Sequence, residues 1–141
     1  NKLKALVKDK QIKNVQFLGY VSEEEKVSLL RQSTVFCSPA IFGESFGIVL
    51  LEAMAAGTVV VAGNNPGYES VMKDRGALSI INPKDTTEFA RRLELLIYDQ
   101  GLRKSWLDWA NQYIQQFDYN KVTDRYEEAY QDAIKMSKIK L

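Results

Sequence analysis

Histidine is absent from the sequence, and cysteine occurs once, at Cys37. Without histidine the chain has no imidazole to act as a general base or as a metal ligand. No Asp-x-Asp pair is present to hold a divalent ion, so we expect chemistry that needs no metal. A single cysteine excludes an internal disulfide and makes a cytosolic setting the default expectation.

Charge and hydropathy argue against two further classes of protein. The formal net charge is +1 over 141 residues, and no basic stripe interleaved with aromatic residues is present, which disfavours a nucleic-acid binder. No apolar run approaches the length of a membrane-spanning helix, and no secretory signal pattern opens the sequence. Length and composition instead predict a single globular domain over residues 1–141 with a substantial core.

Short apolar runs alternate with helical patterns along the chain, with no repeat and no long linker. Four strands separated by short helical crossovers predict an α/β fold with a Rossmann-like parallel sheet and flanking helices. We expect Cys37 to be a core residue of the second strand. The predicted strands are 14–18, 34–38, 58–62 and 78–81. The predicted helices are 2–10, 22–32, one that follows the loop 39–45 and ends at Gly57, 68–72, a helical stretch from 85, and 120–138.

The stretch 43–57, GESFGIVLLEAMAAG, joins the second predicted strand to the third. Its loop lies at the carboxyl edge of the expected sheet, where open α/β folds bind ligands. Glu44 stands in the loop and Glu52 two turns into the helix, while the amides of 45–48 are free donors at the positive helix end. A ligand with hydroxyls at both ends and a diphosphate between them fits this pattern, and nucleotide-sugars have that shape.

Local chemistry predicts how this loop enters its helix. Ser45 is a candidate N-cap, although a plain helix start explains it equally well. Gly47 allows the backbone to approach a ligand closely. We expect Ile48 and Val49 to face the core, with their amides near the phosphates.

Glu44 and Glu52 also form an E-x7-E pair in a specific setting. Around it stand Ser38-Pro39, ESFG and LEAMAAG, with NVQFLGYVSEEEK, TVFCSP and NPGYESV at related places. In these stretches the sequence resembles the second half of a retaining GT-B glycosyltransferase of the glycosyl transferases group 1 type. Its ESFGIVL helix is most similar to that of the phosphatidylinositol mannosyltransferases. The resemblance implies a C-terminal nucleotide-sugar-binding domain without the N-terminal domain and without its own first βα unit.

The resemblance also implies roles for particular residues. Glu44 is the catalytic residue that contacts hydroxyls of the donor sugar, and Glu52 reads the ribose hydroxyls; the alternative for each is a solvated carboxylate. The Glu23 carboxylate is suited to accept hydrogen bonds from two N–H groups of guanine. A charged first turn of an exposed helix explains Glu23 and Lys26 equally well. The backbone around the donor sugar and phosphates is that of Gly43, Ser45, Phe46, Gly47, Ile48 and Val49. The residues beside the nucleotide base are Val21, Glu23 and Lys26.

The implied reaction is transfer of mannose from GDP-mannose with retention, without metal or other cofactor, to a lipid or glycan acceptor. A lipid acceptor implies a cytoplasmic protein that associates with the membrane surface through the rest of the parent protein. Three alternatives stay open: a UDP- or ADP-sugar transferase, a UDP-sugar epimerase of the same fold, and a non-catalytic nucleotide-binding regulatory module. The last helix either packs on the missing domain or, through Lys135, Lys138 and Lys140, lies on a membrane surface.

The sequence departs from the family's pattern at two places. The Arg and Lys that neutralise the donor diphosphate in the family have no counterpart here, so we expect this chain alone to bind weakly and to be inactive. The family's Gly-Gly-x-x-Glu is replaced by the segment 65–69, Asn-Pro-Gly-Tyr-Glu, which leaves the role of Asn65, Gly67 and Glu69 open.

Overall fold

The computed structural model describes residues 2–139, in which strands alternate with helices. The strands are β1 (Val35–Ser38), β2 (Val59–Gly63) and β3 (Ile80–Ile81). The helices are α1 (Lys2–Asp9), α2 (Glu23–Gln32), α3 (Ile48–Ala55), α4 (Pro66–Val71), α5 (Thr86–Tyr98), α6 (Gln100–Tyr113) and α7 (Tyr119–Ile139). Two 3-10 helices, Asp74–Ser79 and Ile114–Phe117, precede β3 and α7.

The three strands form one parallel sheet in the order β1-β2-β3. All five residues of the central strand β2 are buried, as its valine-rich composition predicts for a strand covered on both faces. Helices α3, α5 and α6 contact β2, and their core residues include Leu50, Met54, Phe89 and Trp106. The predicted α/β fold, a Rossmann-like parallel sheet with flanking helices, is confirmed.

Two helix ends carry the signals that the sequence predicts. The Ser22 hydroxyl accepts the Glu25 amide at 3.2 Å, and the Glu25 carboxylate accepts the Ser22 amide at 2.9 Å, a capping box at the start of α2. At the end of α3, Gly57 adopts a φ of 79°, and its amide donates to the Met54 carbonyl. The following amide donates to the Ala53 carbonyl, which completes a Schellman motif. These caps fix where the elements flanking the E-x7-E loop begin and end.

The prediction of four strands is wrong at two places. Residues 14–18 form no strand, and Val15, Phe17 and Leu18 are 42–55% exposed. An extended segment gains ladder hydrogen bonds only beside another strand, and no described residue pairs with this one. The last predicted strand is reduced to Ile80–Ile81, because a 3-10 helix occupies the residues before it.

The expectation that Cys37 is a core residue is also wrong, because its side chain is exposed. Cys37 pairs with Val61 in the sheet, but β1 is an edge strand of the described sheet, with a paired neighbour on one side only. Burial of the central strand β2 therefore does not extend to this position.

Several apolar side chains of the last helix are exposed to solvent. In α7, Tyr126, Tyr130 and Ile134 are 55–67% exposed, and they belong to the face that we expect to pack on another domain; that expectation stays a prediction. Lys140 and the side chain of Lys138, which the membrane-surface alternative invokes, lie outside the described residues. Over the described part of the chain, no helix combines the length and hydropathy required to span a bilayer.

Candidate functional site

The loop that carries Glu44 is held against the N-terminus of α4. The Asn65 amide nitrogen donates to the Ala40 carbonyl at 3.0 Å, and its amide oxygen accepts the Tyr68 backbone N–H at 3.0 Å. Asn65 therefore caps α4 and fixes the loop with one side chain. At Gly67, an added Cβ would lie only 2.3 Å from the Glu44 carbonyl oxygen, so the two backbones touch.

Tyr68 forms the floor beneath this loop. Its side chain is 1% exposed, and its hydroxyl shares a hydrogen bond of 2.7 Å with the Ser38 hydroxyl at the end of β1. Burial raises the pKa of Tyr68; the Ser38 hydrogen bond lowers it, and the charge of the adjacent Glu44 carboxylate raises it further. Glu44 is itself half-buried, and its carboxylate lies near enough to Tyr68 to affect that pKa.

The helix after the loop begins later than the sequence suggests. Gly47, not Ser45, is the N-cap of α3, and its φ of 96° lies in the left-handed region. A Cβ at Gly47 would lie 2.6 Å from the Tyr68 ring, so both backbone and packing require glycine there. The expected capping role of Ser45 is therefore wrong, because the cap position falls two residues further on.

The first turn of α3 leaves backbone donors at an accessible position. Helix geometry gives the amides of Ile48 and Val49 no partner within α3. The Ile48 side chain is 65% exposed, so the expectation that it faces the core is wrong, whereas Val49 is half-buried against the core. N–H groups that lack a partner within the helix, at a helix start whose first residue is exposed, favour a bound anion.

Glu52 and the segment after residue 20 come together through a lysine. The Lys26 ammonium donates to a Glu52 carboxylate oxygen at 3.0 Å and also pairs with Glu23 at 2.7 Å. The hydrogen bond with Glu23, followed by that with Glu52, raises the pKa of Lys26. Glu52 keeps about a third of its side-chain surface, 36%, exposed. The ends of two segments predicted separately, 21–26 and 44–52, thus meet where α2 packs beside α3, through the Lys26–Glu52 pair.

A hollow of about 410 Å³ lies beside Glu52. Its walls are one face of α3 and the 3-10 helix Ile114–Phe117 with the residue that follows it, so two carboxylates, Glu52 and Asp118, border a mainly apolar surface. Carboxylates only accept hydrogen bonds when ionised, so this hollow suits a ligand that presents hydroxyl donors and an apolar face. The lining residues are Ile48, Leu51, Glu52, Ala55, Ile114, Gln115, Phe117 and Asp118.

The other predicted site residues surround these contacts. Gly43 adopts a φ of 89° and is exposed, as a sharp turn before Glu44 requires. The Phe46 ring meets Phe117 edge to face, with centroids 6.1 Å apart, so its side chain packs as well as its backbone. Val21 is half-buried and borders a smaller hollow with Leu18, to the side of the Lys26 ion pairs.

Sequence reasoning missed the residues that support the loop. Asn65, Gly67 and Tyr68 belong to the segment whose role was left open, and Glu69 of the same segment is exposed. Asn followed by Pro is a helix-start signal, so the cap could have been found. The contact of Tyr68 with Ser38 joins residues 30 positions apart, and no local pattern predicts such a pairing.

Sheet, loop and helix together are consistent with the Rossmann-like half of a GT-B architecture, in which ligands bind at the carboxyl edge of the strands. Residues 1–112 match the protein family described as glycosyl transferases group 1. The chain belongs to this family, which confirms the resemblance carried by the E-x7-E segment.

The individual relatives that match this chain are also named glycosyltransferases or mannosyltransferases. The chain is 35% identical over 118 residues to a phosphatidyl-myo-inositol mannosyltransferase of Mycolicibacterium smegmatis, covering 84% of the chain and 31% of that protein. It is 32% identical over 120 residues to the Mycobacterium leprae protein of the same name, covering 85% and 32%. A D-inositol 3-phosphate glycosyltransferase of Salinispora arenicola is 30% identical over 121 residues, covering 86% and 27%. The chain thus spans about a third of the length of these relatives.

Proposed function

We propose that this chain is the donor-binding domain of a retaining glycosyltransferase that transfers mannose from GDP-mannose. The observation that carries the proposal is the Lys26 bridge between Glu23 and Glu52. It joins the segment proposed to contact the base with the helix proposed to contact the ribose, at the edge where an α/β sheet binds ligands. Membership of the glycosyl transferases group 1 family supports the same reading.

Each part of a nucleotide-sugar has a partner in this arrangement. Glu52, partly exposed and oriented by Lys26, accepts the two ribose hydroxyls, and Glu23 accepts the N1–H and N2 amine of guanine. The first-turn amides of α3 receive the diphosphate. Glu44, half-buried near Tyr68, accepts hydrogen bonds from hydroxyls of the sugar and orients its anomeric carbon.

The proposed chemistry is electrostatic and uses no metal. The departing diphosphate is stabilised at the helix N-terminus while the acceptor attacks from the face that the diphosphate leaves, which retains the anomeric configuration. Helix amides contribute only about 0.3–1 kcal/mol per charge at an exposed terminus. For that reason we propose that the chain alone binds its donor weakly and does not turn over.

The names of the relatives suggest an acceptor class. Both kinds of relative are named for an inositol compound, one for phosphatidyl-myo-inositol and one for D-inositol 3-phosphate. We therefore take a phosphorylated inositol, free or on a lipid, as the first acceptor to test. One kind of relative is named a mannosyltransferase and the other only a glycosyltransferase. The second candidate function is therefore transfer of a sugar other than mannose by the same fold.

The test is a chimera in which this chain replaces the matched third of the M. smegmatis relative. Labelled GDP-mannose, UDP-glucose and ADP-glucose are each offered with phosphatidylinositol or inositol 3-phosphate. We expect transfer from GDP-mannose alone, with the product retaining the donor's anomeric configuration, and loss of transfer in Glu44→Gln but not in the exposed control Glu128→Gln. Transfer from a uridine or adenosine donor contradicts the GDP-mannose assignment, and donor binding without transfer to any acceptor favours the regulatory-module alternative.

A further inference from the structure

Another cavity lies among the 3-10 helix Asp74–Ser79, α5 and α6. Its volume is about 200 Å³. Four leucines supply most of its surface: Leu78, Leu95, Leu96 and Leu102. Three polar residues, Ser79, Arg92 and Trp106, complete the lining. None of these residues belongs to the proposed donor site, so this cavity is independent of the proposed function.

The three polar residues share an unusual property. Over the described part of the chain, the buried side-chain polar atoms without a hydrogen-bond partner are Ser79 Oγ, Arg92 Nε and Trp106 Nε1. Ser79 is 0% exposed and Trp106 is 3% exposed. Native structures pair nearly all such atoms, because an unpaired buried donor destabilises the fold. All three residues line one cavity, although the atoms themselves have almost no accessible surface, so a hydrogen-bond acceptor bound there reaches them only with small side-chain adjustments.

The donor and acceptor properties of these atoms define the chemistry of that group. Arg92 Nε and Trp106 Nε1 only donate, and the Ser79 hydroxyl can donate. A group that pairs with all three donors must supply acceptor oxygens, as a carboxylate or a carbonyl does.

Charge favours the carboxylate. Arg92 Nη2 donates to Glu88 at 3.0 Å, and Arg91 donates to both oxygens of the same carboxylate at 2.7 and 3.0 Å. The other terminal nitrogen of Arg92, Nη1, donates to the Leu78 carbonyl. Two guanidinium groups thus share one carboxylate, which leaves one positive charge beside the cavity, and an anionic ligand oxygen would balance it.

We propose that this cavity binds a small organic carboxylate with a compact apolar body. A dry apolar cavity of about 150 Å³ accommodates benzene, so about 200 Å³ suits a ring or a branched chain carrying one carboxylate. The leucines cover the apolar body, and the carboxylate accepts from Ser79, Arg92 and Trp106. Benzoate combines both features at this size and is the probe for the site.

The experiment is a titration of the ¹⁵N-labelled chain with benzoate. Two further probes are compared: acetate, which lacks the apolar ring, and benzyl alcohol, which lacks the negative charge. The indole N–H signal of Trp106, told apart from that of Trp109 by Trp109→Phe, reports the cavity directly. We expect a saturable shift of the Trp106 signal with benzoate and affinities roughly tenfold lower for the other two probes. Ser79→Ala should weaken benzoate about three- to tenfold, the loss expected of one hydrogen bond. Ser28→Ala on α2 should leave the affinity unchanged.

Three results would overturn the proposal. If water alone satisfies the three atoms, benzoate at tens of millimolar leaves the Trp106 signal in place. If benzyl alcohol binds as tightly as benzoate, the cavity recognises only an apolar body. If Ser79→Ala and Ser28→Ala behave alike, the shift arises elsewhere on the surface.

Discussion

Gly67→Ala tests how closely the Glu44 loop is fitted to α4. The added Cβ would lie 2.3 Å from the Glu44 carbonyl oxygen and 3.0 Å from the Phe46 amide nitrogen, whereas ordinary contacts begin at 3.4 Å. The added Cβ would therefore be about 1.1 Å too close to the Glu44 carbonyl oxygen for an ordinary contact. Both neighbours are backbone atoms, so no flexible side-chain end can move aside, and the Asn65 bond to Ala40 holds the loop in place. We expect a destabilisation of about 1–3 kcal/mol, the range found for overpacked sites.

Urea denaturation measures this loss, and nitrogen–proton NMR shows whether the amide signals of 44–47 move. Gly101→Ala is the matched control, because its Cβ would meet the nearest atom, an Asp99 carboxylate oxygen, at an ordinary 3.4 Å. Gly101 stands in the first turn of α6, where alanine should stabilise by up to about 1 kcal/mol. A Gly67→Ala protein as stable as the wild type, with unmoved loop signals, would refute the fit.

Two further predictions concern side-chain contacts of the site. Tyr68→Phe removes the hydrogen bond to the part-buried Ser38 hydroxyl and should lower the free energy of unfolding by about 1–2 kcal/mol; the exposed Tyr98→Phe is the control, and equal urea midpoints for the two variants would contradict the account. Lys26→Met removes the ion pair with Glu52. The pKa of Lys26 is raised in the folded protein. The ammonium therefore contributes its full share to stability up to about pH 10.4, the usual pKa of lysine, and that share is lost as the pH rises through the folded-state pKa. Over the range from about pH 6 upward, the difference in urea midpoint between wild type and Lys26→Met should therefore shrink only above about pH 10.4. A difference that shrinks between about pH 6 and 9, where unperturbed lysine stays charged, would assign the effect to another group.

The elements that local sequence determines were predicted well. The capping box of α2 and the glycine that ends α3 are short-range signals, and each appears as expected because its hydrogen bonds join residues within one turn. The fully apolar β2 was likewise predicted as a strand covered on both faces.

The errors fall where a neighbour distant in the chain decides the outcome. Residues 14–18 have the composition of a strand, but pairing requires a partner strand, and none of the described residues supplies one. Cys37 is exposed because β1 lies at the sheet edge, a property of topology rather than of its own segment.

The candidate site shows the same division. The E-x7-E spacing selects Glu44 and Glu52 as candidates, and both lie on one loop–helix unit, a local arrangement that the sequence can predict. The helix start was misplaced because the left-handed Gly47 is set by its contact with Tyr68, 21 residues further on in the numbering. The Lys26–Glu52 pair spans 26 residues and depends on how α2 packs beside α3, which periodicity alone does not specify.

The most direct test of the central claim is a nucleotide titration of the labelled chain, repeated on the chimera with the M. smegmatis relative. GDP-mannose, GDP, UDP-glucose and ADP-glucose are compared in wild type, in Glu52→Ala and in the exposed control Glu128→Ala. The account predicts shifts confined to residues 21–26 and 44–52, strongest with the guanine ligands, tighter in the chimera, abolished by Glu52→Ala and unchanged by Glu128→Ala. Shifts that persist in Glu52→Ala, or no shift with any nucleotide in the chimera at millimolar concentration, would contradict a donor site at the N-terminus of α3.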